Sequence, residues 1–158
     1  MGTQMSSARR GVATEEMKKV AKDEEMELDI LMQRIANGSV IIPKNNARKQ
    51  EIKVVGIGKG LTTKVNVNIG TSTLKVNLEE EVEKAKVAVK HGADTIMDLS
   101  DGGDLDLIRQ TLLEAAPIQF GYVPVYQAYT HAVQVHKNPL AMVRMITLMR
   151  LKNVLKTE

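Results

Sequence analysis

Between Val54 and Gln127 the spacing of apolar residues switches repeatedly between two periods, and this alternation restricts the fold more than any other feature of the chain. The segment KVNVNIG places apolar residues at every second position, the spacing of a strand. LEEEVEKAKVAVKHG then puts Leu78, Val82, Ala85 and Val89 on one helical stripe that closes at Gly92. ADTIMDLS reads as a second strand, DLDLIRQTLLEAA as a second helix opened by Asp104, and VPVY as a third strand. Parallel neighbours need a crossover long enough for a helix, so this order predicts an α/β fold with a parallel βαβαβ sheet and right-handed connections.

The first 50 residues read as a separate helical, peripheral segment. Thr14 can cap a helix through EEMKKVAKDEE, and Asp29 a second one, ILMQRIAN, which Gly38 ends. SVIIP reads as a short strand stopped by Pro43, KNNARKQ as a solvated basic loop, and GIGKG as a turn whose spacing fits no phosphate-binding motif. Residues 51–127 would then form the sheet, and residues 128–158 a tail of different composition.

In KVNVNIG, Val65, Val67 and Ile69 share one face while Lys64, Asn66 and Asn68 share the other. That polar face belongs either to a surface edge or to a polar lumen, and a parallel sheet covered on both sides would bury the amides. Ligands of parallel α/β folds collect at the carboxyl ends of the strands, which here read NIGTS, MDLSDGG and VYQ. Asp98 and Asp101 flank a loop whose amides could face an anion, although capping and turn chemistry suffice to explain them. His91 beside Gly92 fits a helix C-terminus, and His131 with His136 lacks the spacing of a helical metal pair.

The chain contains no cysteine, which excludes disulfides and thiolate metal sites within it. No apolar run approaches the roughly 20 residues of a membrane span, and the N-terminus lacks a signal pattern, so a cytoplasmic protein is expected. The net charge of +3 is uneven. From Ala128 onward Lys137, Arg144, Arg150, Lys152 and Lys156 face Glu158 alone, which leaves the body of the chain near neutrality and argues against a nucleic-acid partner.

Four stretches together, TQM..AR.G..TEEM..VA, IGKGL.TKVN.NIGTS, HGADT.MDLSDGGDLD..R and P...G.VPVYQA, resemble the phosphomethylpyrimidine synthase family of thiamine biosynthesis from Thr3 to about Gln127. The resemblance implies a TIM (β/α)8 barrel, of which this chain would hold an incomplete first part. It implies a lyase that rearranges 5-aminoimidazole ribonucleotide into hydroxymethylpyrimidine phosphate by radical S-adenosylmethionine chemistry, with a [4Fe–4S] cluster and a zinc site, in a homodimer. Carried over by motif, the substrate contacts are Asn68 of N-I-G, Met97 of M-D-L-S and Tyr126 of V-P-V-Y-Q, spaced 29 residues apart. Asn68 would donate and accept hydrogen bonds, Met97 would pack against a ring, and Tyr126 would offer a hydroxyl. The family's C-x-x-C-x₄-C cluster motif has no counterpart here, so the chain is expected to hold no cofactor and to be inactive alone.

The tail supports two readings. Residues 140–155 mix Met, Ile and Leu with Arg and Lys, as a docking helix of a small binding or regulatory module would. Alternatively, residues 128–158 are the product of a displaced reading frame. Shifted by one base, Met145 followed by Ile146 must read Asp whatever codons are used, and acidic family-like residues accompany it under permitted codon choices.

Overall fold

The computed structural model describes residues 2–45, 48–138, 140 and 142, which divide into two compact units. The first comprises residues 1–44 and 52–64. Its helices are α1 (Gln4–Arg9), α2 (Glu15–Asp23) and α3 (Leu28–Ala36), and its strands β1 (Val40–Ile41) and β2 (Ile57–Gly58) pair antiparallel. Met17, Val20, Leu31, Ile35 and Val40 are buried together in one cluster.

Thr14 caps α2 as expected, its hydroxyl accepting from the Met17 amide. Thr3 does the same for α1, a helix too short to show a period. The Asp29 cap is not observed: α3 starts after Glu27, which makes no side-chain cap bond, and Asp29 lies inside the first turn. Gly38 follows α3 with φ +82°, a conformation that ends a helix at little cost only for glycine. Lys64 lies outside the strand region. Its ammonium pairs with Glu24 at 2.7 Å and donates to the Thr62 carbonyl. Burial is the largest single influence on the Glu24 carboxyl and pushes it up, yet Lys64 and Thr62 together hold it below its ordinary value.

The second unit comprises residues 45–51 and those from Val65 onward. It contains β3 (Asn66–Ile69), α4 (Leu78–Lys90), β4 (Thr95–Asp98), α5 (Leu105–Ala115), β5 (Gln119–Tyr122) and α6 (Pro124–His136). The strands form a parallel sheet in the order β3-β4-β5, the unclosed start of a barrel. Asn77 and Asp104 cap α4 and α5, and Ala85, Ala88, Ile108 and Leu112 pack with Ile69 and Ile96. Leu112 is fully buried, and truncation of such a leucine to Ala costs about 2–5 kcal/mol.

Two expectations are corrected in this unit. The third strand is QFGY, not VPVY, which instead opens α6 with Pro124 at its first position. Proline suits that position because its φ is already helical and the missing N–H would have had no intrahelical acceptor. The basic loop is not wholly solvated either. Arg48 donates through Nη1 to the Ile118 carbonyl at 2.8 Å and through Nη2 to the Ala116 carbonyl at 2.6 Å, so a guanidinium closes the C-terminal end of α5.

Candidate functional site

Alternation along the three strands sorts their side chains onto two faces. Val67, Ile69, Ile96 and Phe120 point into the cluster formed with α4 and α5. The opposite face carries Asn66 and Asn68 from β3, Thr95 and Met97 from β4, and Gln119 and Gly121 from β5. Asn66 and Asn68 are exposed, contrary to the expectation of burial, because both crossover helices pack on the other face.

Asn68 and Met97 are direct partners in the β3–β4 register, near the carboxyl ends of their strands. Met97 in turn pairs with Gly121, where an added Cβ would sit 3.0 Å from the Met97 methyl and 3.2 Å from its sulfur. The thioether therefore lies across the space that the glycine leaves free. Tyr126 is not brought into this row. It stands in the first turn of α6, 41% exposed, rather than at the end of a strand.

The loops that follow β3 and β4 are stitched together. The Leu99 amide donates to the Ile69 carbonyl at 2.8 Å and the Asp101 amide to the Thr71 carbonyl at 3.1 Å. The Thr71 amide donates to Ser100 Oγ, and the Ser100 hydroxyl donates to Asp98 Oδ1. Thr71 Oγ1 donates to the Gly102 carbonyl at 2.7 Å, and the Gly70 amide to Glu81 Oε2 at 2.8 Å. The amides of Ser100 and Asp101 are thus engaged within the protein, and the turn and capping reading of this loop is the one observed. Burial pushes the Asp98 carboxyl above its ordinary value, against the hydrogen bonds from Ser100 and the charge of Arg109.

Gly121, Thr95 and Glu81 went unnoticed in the sequence as parts of this region. A glycine inside a strand was the available signal, since it marks a close approach. The polar partners had none, because their pairing depends on which residues the sheet sets side by side.

No group of three His, Asp or Glu side chains among the described residues could hold a metal ion. Without cysteine the chain has no thiolate for an iron–sulfur cluster, so its donor set does not fit that group. No described helix is long and apolar enough to cross a membrane. The expected docking helix at 140–155 lies outside the described residues, Leu140 and Met142 apart.

An unclosed parallel βαβαβ sheet with polar strand ends and an exposed polar face defines the class, an α/β arrangement consistent with the opening portion of a barrel. More particularly, the chain belongs to the Radical SAM ThiC family, which it matches over residues 3–156. It is 53% identical over 126 residues to phosphomethylpyrimidine synthase of Pyrococcus furiosus, an alignment covering 80% of this chain and 29% of that protein. It is 48% identical over 132 residues to that of Thermus thermophilus, covering 84% and 30%. With the enzyme of Dehalococcoides mccartyi the identity is 49% over 143 residues, covering 90% and 32%. The chain thus spans about 30% of the length of these relatives.

Proposed function

We propose that this chain is the opening part of a phosphomethylpyrimidine synthase and contributes one wall of the substrate site. The whole enzyme would convert 5-aminoimidazole ribonucleotide to hydroxymethylpyrimidine phosphate by radical S-adenosylmethionine chemistry, in the cytoplasm and as a homodimer. The chain's own share is to bind and orient. Asn68 hydrogen-bonds the ligand, Met97 packs against its ring, and Tyr126 adds a hydroxyl from the start of α6. The single observation that carries this reading is the register of Asn68 with Met97 on one sheet face, with Gly121 as the floor under Met97.

Two measurements test it. The chain alone, given S-adenosylmethionine, a reductant and the ribonucleotide, forms no 5′-deoxyadenosine. In an enzyme that carries the remaining barrel, Asn68→Ala weakens ribonucleotide binding by about 1–3 kcal/mol, the cost of stranding a buried polar partner. Unchanged affinity removes Asn68 from the site.

The residues after 128 bear on whether the rest of the barrel is encoded downstream. Helix α6 crosses residue 128 without a break, and Ala128 and Ala132 are fully buried, which favours a native frame as far as His136. The displacement expected from residue 128 is thereby corrected: a displaced frame would have to begin beyond Lys137, where Arg144, Arg150, Lys152 and Lys156 stand against Glu158 alone. The family match running on to residue 156 favours an unbroken frame instead, and the DNA sequence decides between them.

A further inference from the structure

A hydrogen-bonded ladder runs along the exposed face of the sheet toward the strand ends. Thr95 Oγ1 donates to Asn66 Oδ1 at 2.7 Å, and Asn66 Nδ2 donates to Asn68 Oδ1 at 2.9 Å. Thr95 and Asn66 are partners in the β3–β4 register, so the sheet itself sets the first of these contacts, and the period of two along β3 sets the second. A primary amide has one accepting end and one donating end. Because Asn66 engages one lone pair of the Asn68 carbonyl oxygen and turns that end toward itself, the Asn68 amino group is the end turned away from Asn66, toward a ligand.

We infer that Thr95 and Asn66 are positioning residues that orient the Asn68 amide, so that this position takes a hydrogen-bond acceptor of the ligand, such as a phosphate oxygen or a ring-nitrogen lone pair, and disfavours an amine. This rests on the reading of Asn68 as a ligand contact and narrows it from a group that donates and accepts to one that donates. The direction of the ladder is carried by how Thr95 and the Asn66 amide pair, with Thr95 at its donor end. A hydroxyl can serve either way, and here it donates. In the reverse direction Asn66 would donate to Thr95 and Asn68 to Asn66, which would present the Asn68 carbonyl oxygen instead.

The test uses the full chain labelled with ¹⁵N and ¹³C. A coupling through the hydrogen bond from the Asn66 side-chain nitrogen to the Asn68 side-chain carbonyl is expected, and its absence overturns the orientation. Titration with inorganic phosphate is expected to shift the Asn68 amino resonances, whereas methylammonium leaves them in place. Thr95→Val, which keeps the shape and removes the donor, is expected to weaken the phosphate response about three- to tenfold, the equivalent of one hydrogen bond, with backbone resonances away from the site unchanged. Thr95→Ser restores it. A response to methylammonium in place of phosphate overturns the inferred polarity, and equal phosphate responses in the Val and Ser variants overturn the role of Thr95. If the coupling is present and neither probe moves Asn68, the orientation stands and the reading of Asn68 as a ligand contact falls.

Discussion

Gly70, two residues after Asn68, is one of the points where the loop after β3 closely approaches the loop after β4. An added Cβ would lie 2.6 Å from the Ser100 nitrogen, 2.8 Å from the Leu99 carbonyl carbon and 3.1 Å from the Leu99 nitrogen. These are backbone atoms, which cannot rotate aside as a side chain would. Its φ of +148° is also one that side-chain-bearing residues rarely adopt. Overpacking costs about 1–3 kcal/mol, and holding an unfavourable backbone conformation about 1–3 kcal/mol. Gly70→Ala is therefore expected to lose about 2–6 kcal/mol, a large part of the roughly 5–15 kcal/mol that stabilises a domain. Gly92→Ala separates the two contributions. Gly92 also has a positive φ, +85°, but nothing lies within 4 Å of its added Cβ, so only the conformational cost of about 1–2 kcal/mol applies. Urea unfolding of both variants at low micromolar concentration, followed by far-ultraviolet circular dichroism, measures the difference. With a slope of about 1–3 kcal/mol per molar urea, the Gly70 variant should unfold roughly 1 M earlier than the Gly92 variant. Coincident midpoints would refute the packing argument.

The remaining predictions concern charge, sheet edges and the gene. Hydrogen bonding to Lys44, followed by a backbone hydrogen bond and one from Gln4, holds the Glu16 carboxyl at about 2, below its ordinary 4.5. Its contribution is present above pH 4.5 and lost as pH falls toward 2. Glu16→Gln should therefore cost about 1 kcal/mol at neutral pH, an exposed partner being well screened, and nothing near pH 2; a pH-independent difference in urea midpoints would contradict this. Asp98 is raised above its ordinary 3.8, so its contribution is present below that value and lost as pH rises through the raised one. Asp98→Asn should gain on the parent as pH rises from the carboxyl's ordinary value through its raised one, and a variant that falls further behind over that rise would show the carboxylate to be favoured. Among the described residues β3 and β5 each have a single strand neighbour, so sedimentation should show association that grows with concentration; a monomer at hundreds of micromolar would count against exposed edges. Sequencing codons 125–158 and beyond should reveal a displaced frame after codon 137, followed by more barrel and a C-x-x-C-x₄-C motif, and an intact frame ending at Glu158 excludes it.

The crossover helices and the first two sheet strands were legible because their signals are local. Leu78, Val82, Ala85 and Val89 repeat at helical spacing within one segment, and Asp104 stands immediately before the helix it caps. The motifs from Thr3 to Gln127 carried the family just as directly. VPVY was misread because two valines flanking a proline satisfy a strand's alternation as well as a helix's first turn. What separates the two is the spacing of Ala128 and Ala132, four residues apart on the buried side of α6.

By itself the sequence determined the α/β order, the polar character of one face of β3, and the absence of any thiolate to hold a cluster. Only the tertiary structure decided which of these groups meet. Asn68 faces Met97 across 29 residues of chain, Met97 lies over Gly121, and Thr95 reaches Asn66. The reason is physical: a period records which way a side chain points along its own element, whereas a contact between elements depends on register. Register is settled by burial on the far face, where Ile69, Ile96 and Phe120 pack with α4 and α5.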